Sequence, residues 1–273
     1  MKRILPFFAA ALVASSAYGQ RMQAEFEDGT TMEYEILSNA ATDIAPVYLT
    51  LGATHGNVWD GMKIDYYNPD LGVFQLRLPS MLAFADDNAG IPWRISGLYF
   101  LTDETQQKTR EVTLMATSSG DVITKYRAEA PIERGVRMGI HGGIGRRNTE
   151  SGTFYSDEDT EYTEVSLGLG LFRSQHLSIM REVDGAAYRA QGSASMMLTA
   201  DAMAFLGTKP TDSTYQGELE SSPLGFEVAW VGRASFWGKR DWGIWLTAGY
   251  GAGPVSGYPI AGGGLYFGVG NKL

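Results

Sequence analysis

Cysteine is absent from the 273 residues. Without a thiol the chain has no disulfide, no thiolate zinc or iron–sulfur ligation, no cysteine nucleophile and no lipid-bearing N-terminal cysteine. Histidine is nearly as scarce. His55, His141 and His176 lie far apart in sequence, and neither the HExxH nor the EF-hand pattern occurs. No metal ion and no cofactor are therefore expected. Basic residues are outnumbered, 22 against 31 acidic ones, for a net charge of −9. Nucleic acid is not an expected partner, because phosphate binding draws on clustered Lys and Arg. Long apolar runs are missing too: beyond the first twenty residues no stretch reaches about eighteen consecutive apolar residues, the length a membrane-spanning helix needs. That absence leaves β-barrels open, since their strands carry apolar residues only at alternate positions.

The N-terminus has a distinct composition. Met1-Lys2-Arg3 is a short positive start, Ile4 to Ala14 is apolar apart from Pro6, and Ala17-Tyr18-Gly19 places small residues before Gln20. This three-part layout predicts a secretory signal peptide over 1–19. Its removal takes Lys2 and Arg3 with it and makes the exported chain more acidic still.

Glycine is abundant, at 34 residues, and its placement is informative. In Val165-Ser166-Leu167-Gly168-Leu169-Gly170-Leu171 every odd residue is apolar and every even one is small. Phe226, Val228 and Trp230 alternate with Glu227 and Ala229, and Leu265, Phe267 and Val269 alternate with Tyr266 and Gly268. Val136, Met138 and Ile140 alternate with Arg137, Gly139 and His141. A period of two over so many residues specifies strands, whereas the helical spacing i, i+3, i+4, i+7 is not sustained anywhere after the leader. The expected class is all-β. One face of these strands is bulky and the other mixes Gly and Ser with occasional Arg, Glu, Tyr and His. A sandwich core needs bulky inward residues from two sheets, but a membrane barrel turns its bulky face to lipid and its small or polar face to the lumen. Phe226, Phe236, Trp242, Tyr250, Tyr258 and Tyr266, near strand ends, fit aromatic girdles at the two interfaces.

The second half of the chain supplies strands near 134–146, 161–173, 188–206, 224–237, 241–251 and 259–270. The first half supplies candidates near 46–53, 61–67, 73–82, 92–101, 110–117 and 122–130. Asn68-Pro69-Asp70-Leu71-Gly72 and Ser118-Ser119-Gly120-Asp121 are turn signals between them. Six and six make twelve. Ten strands preceded by a short hairpin over Gln23–Leu37 satisfy the even-number rule equally, about eight being the usual minimum. Ser174 to Ala187 is expected to be strand extension and turn beyond the bilayer. Long polar connections (146–160, with Ser156-Asp157-Glu158-Asp159, and 207–223) are placed outside the cell and the short one at Gly238–Asp241 inside, so both termini are periplasmic.

On the leader, the alternating glycine-rich strands and the closing segment Gly262-Gly263-Gly264-Leu265-Tyr266-Phe267-Gly268-Val269-Gly270, the sequence resembles the outer-membrane β-barrel class of Gram-negative bacteria. The chain ends Asn271-Lys272-Leu273, where many barrels of that class end in an aromatic residue. The resemblance implies a signal peptide (1–19), a periplasmic segment (20–45) and an antiparallel transmembrane β-barrel of ten to twelve strands (46–273) located in the outer membrane, with outer-membrane lipid as its partner.

For chemistry the residues offer little. Asp157, Glu158, Asp159 and Glu161 read as a solvated acidic loop. His141 and Ser166 fall on the same expected face of adjacent strands, but no nucleophile elbow supports a hydrolase, and no catalytic residue is assigned. Conduction uses more of what is there. Gly139, Ser166, Gly168, Gly170, Ser193 and Ser195 leave room in a lumen, and Arg137, His141, Arg189, Glu227 and Arg233, with Arg77 or Arg94, are lumen-facing candidates that would select solutes by charge. The expected function is a porin-like passive channel for small solutes. The alternatives are a non-conducting barrel with a structural or binding role, in which these charges pair and plug the lumen, and a soluble secreted β-sandwich that binds a ligand.

Overall fold

A computed structural model describes residues 19–55, 59–79, 93–119, 121–149, 160–183, 186–210, 224–235, 242–252 and 257–269. They form thirteen strands and, among the described residues, no helix. In chain order the strands are β1 (Gln20–Glu25), β2 (Thr31–Ala40), β3 (Val47–His55), β4 (Trp59–Asn68), β5 (Gly72–Pro79), β6 (Trp93–Phe100) and β7 (Glu104–Ser119). Then follow β8 (Val122–Thr149), β9 (Thr160–Val183), β10 (Ala186–Pro210), β11 (Leu224–Ser235), β12 (Trp242–Ala252) and β13 (Gly257–Val269).

Ten of them close on themselves as an antiparallel barrel, in the order β3-β4-β5-β6-β8-β9-β10-β11-β12-β13. The ring is completed where β13 pairs with β3, from Val269 opposite Val47 to Ala261 opposite His55. Closure removes sheet edges and leaves each ring residue either inside or outside. The period-two pattern decides which. On β9, Leu167 and Leu169 are 65% and 66% exposed, whereas Glu164 and Ser166 are buried. Leu51, Tyr66, Phe74, Ile95, Met138 and Phe226 are exposed on the same outer surface. The barrel is therefore apolar outside and partly polar inside, the reverse of a water-soluble core.

The turn signals work as expected at the end of β4. Asn68 Oδ1 accepts from the backbone N–H groups of Asp70 (2.9 Å) and Leu71 (3.0 Å). Gly72 follows at a φ of +151°, against the carbonyl oxygen of Leu98, where a side chain would collide. That turn, both described chain ends and the start of β3 mark one end of the barrel, its base.

Ten is the lower of the expected counts, and the reason lies in β7 and the first half of β8. The segments near 110–117 and 122–130 pair with one another and leave the ring. Their apolar face is used elsewhere. Beyond the ring, β9 and β10 continue as a hairpin from 174 to 194, and β2 joins the free edge of β9 with β1 beside it. The β7–β8 hairpin folds over this four-stranded sheet, so that Leu114, Ala128 and Ala130 pack on Met32, Tyr34, Ile36 and Ile179. The hairpin expected over 23–37 is present as β1 and β2, and the segment from Ser174 is strand extension, as its parity required. Phe26 meets Tyr126 edge-on at 5.0 Å, and the Tyr126 hydroxyl donates to Asp28 Oδ2 (2.9 Å). The Tyr34 hydroxyl donates to the Glu129 carbonyl (2.9 Å), and burial, aided by the Glu129 carboxylate, pushes that phenol above its ordinary range. The leader, the acidic residues at 157–159 and the turn at 238–241 lie outside the described residues.

This extension has its own small core, so Ile179→Ala should cost about 2–5 kcal/mol locally. Amide hydrogen exchange checks it: protection should fall across 104–134 and be retained in β11 to β13. Equal loss in both regions would contradict a separately packed extension.

Candidate functional site

The inward face of the ring holds the chemistry. Toward the base it is apolar, where Tyr48, Tyr67, Leu98, Phe100, Phe172 and Trp245 belong to one buried cluster with Ile44 and Ala45. Those last two come from the segment between β2 and β3, which crosses the base. It is held there by Ser174 Oγ donating to the Ala41 carbonyl, by the Ala45 N–H donating to the Tyr48 hydroxyl (3.0 Å), and by an Asp43–His176 contact of 3.3 Å. Phe172 is tilted against both Tyr67 (5.3 Å between ring centres) and Phe100 (5.6 Å). Arg137 lies among these rings. Its guanidinium is 5.5 Å from the centre of Phe100, donates to the Tyr67 hydroxyl (3.2 Å) and pairs with Asp103 at 2.9 Å.

Above this floor the interior is polar. Arg94 of β6 is the hub, with Glu164 at 3.3 Å, Glu227 at 3.2 Å, Asp201 at 3.9 Å and a hydrogen bond to Ser166 Oγ of 3.2 Å. It thereby ties β6 to β9, β10 and β11 across the barrel. Asp201 also accepts from His141 Nδ1 through both carboxylate oxygens (2.9 and 2.8 Å). A second group centres on Asp65, which contacts Lys63 (3.5 Å), accepts from Gln75 Nε2 (2.8 Å) and pairs with Arg233. Among the described residues, the buried cations Lys63, Arg94, Arg137 and Arg233 share the interior with the buried carboxylates Asp65, Glu164, Asp201 and Glu227. Buried charges persist only when paired, and each of these cations lies within 4 Å of a carboxylate, Arg137 through the exposed Asp103.

Of the five lumen-facing candidates, Arg137, His141, Glu227 and Arg233 are buried in the ring. Arg189 is not among them. Pairing of β10 with β11 begins at Ala194, so Arg189 sits on the extension below the ring, exposed, and donates to Ser178 Oγ (3.0 Å). Of the pair Arg77 or Arg94, it is Arg94 that holds the centre. Tyr266, expected in an outer girdle, turns inward instead and meets Tyr48 edge-on at 5.4 Å. Its neighbours Leu265 and Phe267 are exposed, so the alternation along β13 fixes the direction. Phe226 and Tyr250 do lie side by side outside, 6.1 Å between ring centres.

Two of the small inward residues lie hard against neighbouring side chains. A Cβ on Gly170 would come within 2.5 Å of Leu98 Cδ1, and one on Gly168 within 2.5 Å of Asp201 Oδ1. These glycines make room for side chains of nearby strands. Ser166 and His141 do not form a nucleophile–base pair: the serine accepts from Arg94, and His141 Nε2 has no hydrogen-bond partner among the described residues.

Glu164, Asp201, Lys63 and Asp65 were not singled out from the sequence. Asp201 shares a face with Ser195 and Thr199 by simple alternation, and that signal was present. Lys63 and Asp65 alternate with Met62, Ile64 and Tyr66, but the inward Tyr67 obscures the pattern.

Removing the hub should show its worth. Arg94→Met removes a cation that Glu164, Asp201 and Glu227 share, and removing one partner of a buried pair costs about 3–5 kcal/mol. Urea unfolding followed by tryptophan fluorescence checks it, and Arg94→Met with Glu227→Gln should lose less than the two changes summed. An unchanged midpoint for Arg94→Met would show that the hub carries no stability.

No family model matches the chain, and no curated protein or solved structure is similar to it.

Proposed function

We propose that the protein is an outer-membrane β-barrel of a Gram-negative envelope whose lumen is closed to solutes, serving as a structural or binding component rather than as an enzyme. The observation that carries this reading is the burial of the inward side chains: among the described residues, paired charges stand above an aromatic floor, inside a ring whose outer face is apolar. A continuous apolar exterior of this kind suits lipid, which replaces the water such side chains would otherwise contact. In this reading residues 1–19 direct export and are removed. The base, with the extension and both termini, then faces the periplasm, and the connections around 146–160 and 207–223 face outward.

Passive conduction of small solutes is the second reading, favoured by the charges that line the wall. The burial of the inward side chains weighs against it: Arg94, Asp201, Leu98 and Phe172 are each 6% exposed or less. In small barrels side chains commonly fill the interior.

Reconstitution into a planar bilayer separates the two readings. The closed barrel gives no stepwise conductance, and a stable open level would overturn closure. The membrane part has its own test in Leu169→Arg. On a lipid face near mid-strand, arginine should cost about 2–4 kcal/mol and impair assembly. An arginine accepted there without loss of stability would count against a bilayer on that face.

A further inference from the structure

Below the ring, on the outer side of the β9–β10 extension, a cleft of about 600 Å³ lies between the β7 strand and the extended hairpin. Its volume is within the range of about 300–1,000 Å³ typical of small-molecule sites. We infer that this cleft binds an anionic amphiphile, with one acyl chain along its apolar wall and the acidic headgroup at Arg181.

The wall comes from alternate residues of facing strands. Val112 and Leu114 of β7, Ile132 of β8, and Leu177 and Ile179 of β9 all border the space. Arg110 shares the β7 face with Val112 and Leu114, and Arg181 shares the β9 face with Leu177 and Ile179. Arg181 thus stands at the far end of the apolar stretch of β9, and Arg110 borders the cleft from β7. Arg181 is directly opposite Tyr188 in the ladder, its guanidinium 5.2 Å from the centre of that ring. Its Nη1 is buried with no hydrogen-bond partner among the described residues. A buried guanidinium donor without an acceptor is costly, and an acidic oxygen supplied by a ligand is the group that satisfies it. Among the described residues lining the cleft the one carboxylate is that of Glu111, which Arg127 engages at 2.9 Å. By strand alternation it lies on the opposite face of β7 from Arg110.

The cleft is also continuous with the apolar exterior. Ala190, Gly192 and Ala194 extend the outward face of β10 on which Leu198 is exposed, and Ala234 extends that of β11 below Val228. These small side chains leave a shallow path from the exterior of the ring into the cleft. The site is independent of whether the lumen conducts, since no lumen charge takes part in it.

The test uses the full protein in an uncharged detergent, with radiolabelled palmitoyl lysophosphatidic acid as the probe. Saturable binding of one molecule per barrel is expected, and Arg181→Gln should weaken it about ten-fold or more, the scale of one lost charge-assisted hydrogen bond. Ala190→Trp, which fills the cleft from an exposed strand position, should also abolish it, while Lys125→Gln, exposed on the opposite face of β8 from Ala128, should leave it unchanged. Unfolding midpoints of the variants show whether each is folded. The inference is overturned by non-saturable uptake, by equal binding of zwitterionic palmitoyl lysophosphatidylcholine, or by unchanged binding in folded Arg181→Gln. Full displacement by inorganic phosphate at the probe's own concentration would also overturn it, showing a free-anion site instead.

Discussion

Ring closure is the constraint on which the other features depend. Once β13 pairs with β3, the ten ring strands have no free edge along the closed ladder, and each ring side chain must take one of two environments. A strand repeats every two residues, so its choice is made once and then propagates along its length. Leu167, Leu169 and Leu171 cannot be turned inward without turning Glu164, Ser166 and Phe172 out. The arrangement is coherent because the same choice suits all ten strands at once.

Closure also accounts for the contents of the interior. Inside the ring, small residues stand beside larger side chains of nearby strands. Gly170 accepts Leu98, and Gly168 accepts Asp201. The charges follow the same logic. Arg94 reaches carboxylates from three strands, so that each is desolvated beside a counter-charge rather than alone. Such a lattice fixes register as well as charge, because a one-residue slip of β10 would turn Asp201 to the exterior and leave both Arg94 and His141 short of a partner.

Much of this was legible in the residues. The alternation in 165–171, 226–230 and 265–269 gives strand type, face and the inversion of the usual core. Arg137, His141, Glu227 and Arg233 follow from the same count. What the alternation could not show is which strands continue past the ring. Arg189 has the parity of an inward residue, but the ring ends at Ala194, and only the pairing of β10 with β11 reveals that boundary. Likewise, 110–117 and 122–130 read as barrel strands because an apolar face packed on a neighbouring sheet has the same pattern as one turned to lipid. Tyr266 shows a different limit, since an aromatic near a strand end suits a girdle by type and only its parity sends it inward. Arg94 as hub was not foreseeable either, because its partners come from strands far apart in sequence.

The most direct test of the inverted barrel uses the absence of cysteine, which allows single reporters without background. Leu167→Cys, Leu169→Cys and Leu198→Cys, each carrying an environment-sensitive fluorophore, can be reconstituted in lipid vesicles and exposed to two quenchers. Quenching by brominated acyl chains with protection from aqueous iodide is the expected result at all three outward positions. Strong iodide quenching with no effect of the brominated lipid would place this face in water and contradict the membrane barrel.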